Sequence, residues 1–191
     1  MELLEEDLNE LNFLYENILI LLKEKFILNN TLNLKNALEF ISCFYSKLLI
    51  FNNTNKEPPF ISNLPSNGIL SICGYQRCRI ANKFLYDFLN KLNLNPTLQY
   101  IYTDENNVWH IVSPINANHL IVAINFNNQT YYLDLYNEFY FDSNFKLIEL
   151  DNKNIDIDDL LQHKYFQQIM EIISIYAKNA ELGIKHIYSY K

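Results

Sequence analysis

Three side chains far apart in the chain, Cys78, His119 and Asp134, are of the types that together carry out acyl transfer through a sulfur nucleophile. A thiol attacks a carbonyl carbon as thiolate. The start of a helix favours that form through unpaired backbone N–H groups and the positive end of the macrodipole. Cys78 stands where a helical apolar period begins, running through Ala81, Phe84, Leu85, Phe88, Leu89 and Leu92. It is flanked by Arg77 and Arg79, the only two arginines of the chain, and fixed positive charge beside a thiol also favours thiolate. The alternative is that both arginines cap the helix, pair with surface acids or stay solvated.

The segment from His119 to Asp134 alternates in polarity and turns at Asn127–Asn128, a pair suited to positive φ. With the turn centred there, Ile121 lies opposite Asp134 and His119 opposite Tyr136. Opposed residues and residues two apart on one strand share a face, so His119 and Asp134 are diagonal neighbours. A carboxylate so placed accepts one imidazole N–H and sets the tautomer and angle of the ring. A loop one residue longer or shorter would turn Asp134 to the other face.

Other residues compete for these roles. Cys73 follows the apolar stretch Ile69–Ile72 and is expected beneath the turn, while Cys43 falls among the apolar positions of a helix. Cys73, Cys78 and His119 could be imagined on zinc, but structural zinc takes four ligands in paired spacings, and no metal is expected. His110 is the rival base, with no acid following it at hairpin distance; its neighbour Trp109 is a candidate for the wall of a substrate groove, or else for the core. His163 and His186 are expected at the surface. The acidic stretch Asp151 to Asp159 lacks the central Gly and terminal Glu of an EF-hand loop and reads as a solvated lead into a helix.

These side chains need a scaffold, and the apolar periods supply one. From Glu2 to Leu28 apolar residues recur at threes and fours, Asn29–Thr31 interrupts them, and the period resumes from Leu34 to about Ile50. The two helices are expected to pack as an antiparallel pair. Asn52 to Gly68 gathers Asn, Pro58, Pro59 and Pro65 and reads as a long surface loop. After Pro96 the period becomes that of strands: Leu98 to Tyr102, Val108 to Val112, His119 to Phe126, Thr130 to Tyr136 and Phe139 to Phe141, an antiparallel meander. From Asp156 the helical period returns in one or two helices. With no internal repeat and no second boundary, the chain reads as one α+β domain: a helical pair over 1–51, a core over 68–150 and C-terminal helices over 156–185.

Composition narrows the function. A net charge of −7 over 191 residues, without a basic stripe, argues against nucleic acid or anionic membrane as partner. The apolar run Ile18 to Leu22 is far short of the roughly 20 residues that cross a bilayer. Met1 to Asp7 is rich in acids where a secretory signal is cationic, so a cytosolic protein is expected. Three cysteines, an odd number, suit free thiols rather than a disulfide framework. The abundance of Asn, Ile, Leu, Lys and Tyr reads as coding bias, since the asparagines interrupt apolar periods and form no tract.

The run Gly74-Tyr75-Gln76-Arg77-Cys78-Arg79-Ile80-Ala81, followed by Phe84, Leu85, Phe88 and Leu89, resembles the nucleophile helix of the transglutaminase-like superfamily. His119 on its strand, then Tyr131-Tyr132-Leu133-Asp134, is similar to that superfamily's later motif, and Phe139 to Leu150 to the tail that often follows. The resemblance covers about Gly68 to Leu150 and implies a papain-like core with Cys78 as nucleophile, His119 as general base and Asp134 as its orienter. It departs at Arg77, where members commonly place Gly, and at Leu120 and Ile121, where an aromatic is common. The implied reaction cleaves an amide or peptide-like bond through a thioester resolved by water or by a second amine, with no cofactor. The Cys78 backbone N–H is the first oxyanion donor and the Gln76 side chain the candidate for a second; Arg77, Arg79 and Trp109 join Gln76 as substrate-side residues. The alternative, from a different class, is a non-catalytic transglutaminase-like module that binds a protein partner through the groove and the N-terminal helices.

Overall fold

The computed structural model describes residues 2–52, 63–65, 67–75, 77–151 and 155–188, with side chains described through 179 apart from 51 and 52. Most of the expected surface loop, 53–62 and 66, lies outside the described residues. Two long helices open the chain, α1 (Glu5–Asn29) and α2 (Leu34–Asn52). A one-turn helix, α3 (Ile69–Ile72), precedes α4 (Cys78–Lys91). Five strands follow: β1 (Thr97–Thr103), β2 (Trp109–Ile111), β3 (His119–Phe126), β4 (Gln129–Asp134) and β5 (Phe139–Phe141). The short α5 (Asp158–Leu161) and the long α6 (Lys164–Tyr188) complete the described elements. The strands form one antiparallel sheet in the order β2-β1-β3-β4-β5, so the chain is of mixed α+β class.

Helix α4 is the hub. Its fully buried Ala81, Phe84, Leu85, Phe88 and Leu89 form one stripe that packs on β3, and Val122, Ile124, Leu133 and Tyr140 of the sheet join the same core. Around the stripe the rings of Phe26 and Phe40 meet Phe88 and Phe44 meets Phe84, so α1 and α2 close on α4, while Phe166 of α6 meets Phe44. Contacts of this kind stabilise beyond area burial by about 0.5–1.5 kcal/mol per ring pair.

The expected antiparallel pairing of α1 with α2 is not the principal one. α1 packs most extensively on α6. The two run antiparallel, with the Tyr176 hydroxyl donating to Asp7 near one end and Lys25 bonded to Asp159 near the other. Helical periodicity identifies a buried face, and the face of α1 (Leu11, Leu14, Tyr15, Ile18, Leu19, Leu22, Phe26) is broad enough for several partners. It does not say which partner is nearest. β4 also stops at Asp134 and not at Tyr136, because the Asp134 carboxylate accepts the N–H groups of Tyr136 and Asn137 and turns the chain.

Gly68, just before α3, lies so close to α4 that an added Cβ would stand 2.4 Å from the Phe84 Cα. Its N–H donates to Asp87, which also accepts the Tyr15 hydroxyl and pairs with Lys83. Gly68→Ala must push two backbones apart. We expect it to lower the unfolding free energy by about 1–3 kcal/mol, read by far-UV circular dichroism as a lower urea midpoint at unchanged slope.

Candidate active site

Cys78 is the first residue of α4, and the turn before it bends at Gly74, whose φ of 79° is the left-handed region that glycine enters without strain. Arg77 flanks the helix in extended conformation without a side-chain cap. Among the described residues the Arg77 carbonyl accepts the N–H groups of Ile80 and Ala81, so the amides of Cys78 and Arg79 stand ahead of the intrahelical ladder. The sulfur makes use of them: the Arg79 N–H points at it, as does the Leu120 N–H from β3.

His119 opens β3 and Asp134 closes β4. The turn between these strands falls at Asn127 and Asn128, both at positive φ, and sets Val122 opposite Leu133 and Ala123 opposite Tyr132. This register carries His119 and Asp134 together, and the imidazole Nε2 donates to Asp134 Oδ2 at 2.6 Å. The Cys78 thiol is hydrogen-bonded to the same ring. Since Nε2 is committed to the carboxylate, Nδ1 is the nitrogen that faces sulfur. Sulfur, imidazole and carboxylate therefore form one relay.

The charges fall as this relay requires. The hydrogen bond with His119 draws the Cys78 thiol below its ordinary value against the opposing effect of burial. Burial would lower His119, but Asp134 and Cys78 outweigh it and hold the imidazole up at about 9. Burial would raise Asp134, yet the hydrogen bonds from His119 and Asn82 keep it ionised below the usual carboxylate range. All three shifts act in the direction of thiolate, imidazolium and carboxylate. Arg77 and Arg79 both carry exposed side chains, where solvent screens their charge, so the ring and the backbone amides account for the thiolate.

One residue of this site was not singled out from the sequence. Asn82, one turn beyond Cys78 on α4, is fully buried. Its Nδ2 donates to the Leu120 carbonyl at 2.6 Å and to Asp134 Oδ1 at 2.8 Å, while its Oδ1 accepts the Leu135 N–H at 2.7 Å. Leu120 and Leu135 would be the next pair of the β3–β4 ladder. The Asn82 carboxamide is inserted between them as a surrogate peptide group, holding the strands apart at the end where His119 and Asp134 meet. Asn137 completes the support, donating to Asp134 Oδ2 at 2.8 Å.

The remaining candidates are placed as follows. Gln76 lies outside the described residues. Trp109 is half-buried beside His119, with ring centres 6.4 Å apart, and meets Phe141 edge-on at 5.1 Å. His110 does have an acid, the upstream Asp104, whose Oδ2 lies 2.9 Å from its Nε2; the pair is at the surface, separate from the thiol–imidazole contact. Cys73 is buried, and burial pushes its thiol up to about 12, a value that leaves it inert near neutrality. Cys43 is half-buried, its sulfur 4.0 Å from the Ile155 carbonyl. His163 is half-buried against Tyr165 and not on the open surface, and the His186 side chain lies outside the described residues. Among the described residues no group of three His, Cys, Asp or Glu is placed to hold a metal ion, and no helix is long and apolar enough to cross a membrane.

Compared with protein-family models, curated proteins and solved structures, the chain finds no match, so the family resemblance rests on its own residues and geometry.

Proposed function

We propose that the chain is a cysteine-dependent enzyme of the transglutaminase-like kind, with a papain-like core, that cleaves an amide or peptide-like bond and transfers the acyl group to water or an amine. The observation that carries this reading is the relay itself: a helix-start thiol bonded to an imidazole whose other nitrogen is 2.6 Å from a fully buried carboxylate. A surface polar network has no need of that combination. An odd number of cysteines, three, suits a reducing compartment better than a disulfide framework, and we place the protein in the cytosol.

In this mechanism the Cys78 thiolate attacks the carbonyl carbon, and the C=O electron pair moves onto oxygen. The Cys78 N–H, ahead of the helical ladder, meets that charge. Collapse of the tetrahedral adduct breaks the C–N bond as imidazolium Nδ1 delivers its proton to the leaving nitrogen, which leaves a thioester and neutral imidazole. His119 then takes a proton from water or from the incoming amine, whose attack on the thioester releases the thiolate. Asp134 holds the ring in the tautomer and angle that both steps require.

The test is acyl-enzyme formation. With p-nitrophenyl acetate we expect a burst of nitrophenolate and an acetyl group on Cys78, found by peptide mass spectrometry, and no burst from Cys78→Ala. Iodoacetamide at pH 6 should label Cys78 well ahead of Cys43, with Cys73 last. Equal labelling of Cys78 and Cys43 across the pH range would overturn the reading.

A further inference from the structure

A cleft of about 830 Å³ opens beside the relay, large enough for a side chain with its flanking groups. His119 is among its walls and Cys78 is not. The rest of the lining is aromatic or neutral: Trp109 from β2, Phe139 and Phe141 from β5, Phe145 beyond it, and amide, hydroxyl and valine side chains between. Among the described residues no Asp, Glu, Lys or Arg contributes to it. The rings run without a break from Phe139 to Phe141 (6.2 Å), from Phe141 to Trp109 (5.1 Å, perpendicular) and from Trp109 to the catalytic imidazole (6.4 Å).

Much of this apolar surface faces water. Val108, Phe139 and Phe145 are 50%, 49% and 57% exposed, although the fold has a continuous core elsewhere that could take such side chains. Contiguous exposed rings beside a reactive centre mark a surface kept for a ligand. Quadrupolar rings presented edge and face favour another ring, and walls that offer no charge beyond the His119 ring, itself engaged by Asp134, penalise a charged group that would lose its water there. Direction follows from the relay. A bound carbonyl carbon sits over sulfur, and the leaving nitrogen sits against Nδ1; a cleft that borders the imidazole and misses the sulfur accommodates what is attached to nitrogen.

We propose that this cleft is the amine-side subsite and takes an uncharged aromatic group on the nitrogen of the scissile or newly formed amide. The choice of side rests on the acyl-transfer reading above, whereas the preference for a ring rests on the cleft alone. A peptide residue and a free arylamine share this ring.

Trp109 is the only tryptophan of the chain, so its fluorescence reports occupancy without turnover. In Cys78→Ser, phenylalaninamide and aniline should each perturb Trp109 emission with saturation in the millimolar range, and the tighter of the two tells peptide residue from free amine. Lysinamide and the α-amide of aspartic acid, whose side-chain carboxylate is free, should bind about tenfold more weakly or not at all. Phe139→Ser, at an exposed position that leaves the core intact, should weaken the aromatic probe about fivefold. Equal binding of charged and aromatic amides, or affinity unchanged in Phe139→Ser, would overturn the subsite. In wild-type protein carbamidomethylated at Cys78, the carbonyl position is filled. The aromatic probe should still bind, and its displacement would overturn the amine-side assignment. An unreactive Cys78 would defeat the catalytic reading while the Cys78→Ser titration still decided the cleft.

Discussion

Replacing His119 by alanine should slow acylation of Cys78 by an amide substrate such as a p-nitroanilide at least about a hundredfold while leaving the fold in place. Two losses combine. The imidazole hydrogen bond is the largest influence drawing the Cys78 thiol down, so without it the thiol returns toward about 8.5 and less of it is thiolate at pH 6. The proton donor for the leaving group disappears as well, and general acid–base catalysis of this kind contributes about 10²–10⁴-fold. Alkylation by iodoacetamide isolates the first loss, since it needs thiolate but no proton transfer. It should fall at pH 6 and recover above pH 9, where any thiol ionises. Asp134 would keep its bonds from Asn82, Asn137 and the Tyr136 N–H, so circular dichroism should show native secondary structure. Alkylation unchanged in His119→Ala would mean that the thiol owes nothing to the ring.

The same charges set the pH profile of the wild type. Below the lowered pKa of Cys78 the sulfur is protonated and acylation slows. Above about 9 the imidazolium loses its proton and cannot protonate the leaving amine, so the rate of amide cleavage falls again. Amide substrates should therefore show a bell with its alkaline limb near 9, whereas alkylation should show only the acid limb. Asp134→Asn removes the negative charge that helps hold His119 up, and its alkaline limb should move to lower pH.

Much of this site was legible because its parts are local. The stripe from Ala81 to Leu89 identifies α4 as buried along one side, and Cys78 sits at its first turn. The β3–β4 hairpin is set by Asn127 and Asn128, and once the turn is fixed the diagonal from His119 to Asp134 follows from the pleat alone. What was not legible depends on elements meeting across the sheet. Trp109 stands beside His119 because β1 lies between β2 and β3, an order that no alternation in the sequence specifies. The acid of His110 was missed because Asp104 precedes it across a tight turn, with Asn107 at positive φ, while the search ran toward the hairpin downstream. The partner of α1 was misjudged because a wide apolar face is compatible with α2 and α6 alike.

Asn82 is the hardest case, and its replacement carries the second large effect. In a chain crowded with asparagine, one more on a helix carries no signal, and its three partners lie at Leu120, Asp134 and Leu135, on two other elements. Asn82→Ala leaves two buried polar groups, the Leu120 carbonyl and the Leu135 N–H, without their partner, at a cost of about 1–3 kcal/mol for each left unsatisfied, while Asp134 Oδ1 keeps the Tyr136 and Asn137 N–H groups. Both can recover if the strands close by one pair, the Leu135 N–H donating directly to the Leu120 carbonyl. That closure draws Asp134 along the ladder and away from the imidazole. We therefore expect a moderate destabilisation of about 2–4 kcal/mol by urea, together with a loss of amide cleavage of about a hundredfold or more. Native-state hydrogen exchange at Leu135 distinguishes the causes. A protected amide in an inactive variant means the ladder has zipped, and a freely exchanging amide means it has opened. Asn82→Asp should be worse for chemistry than for stability. It keeps the acceptor for Leu135 but sets a second carboxylate against Asp134, so the two cannot both stay ionised and His119 loses support in proportion. If Asn82→Ala retained wild-type amide cleavage with its alkaline limb still near 9, the carboxamide would be a packing element only, and Asp134 would find the imidazole without a wedge to hold the strands apart.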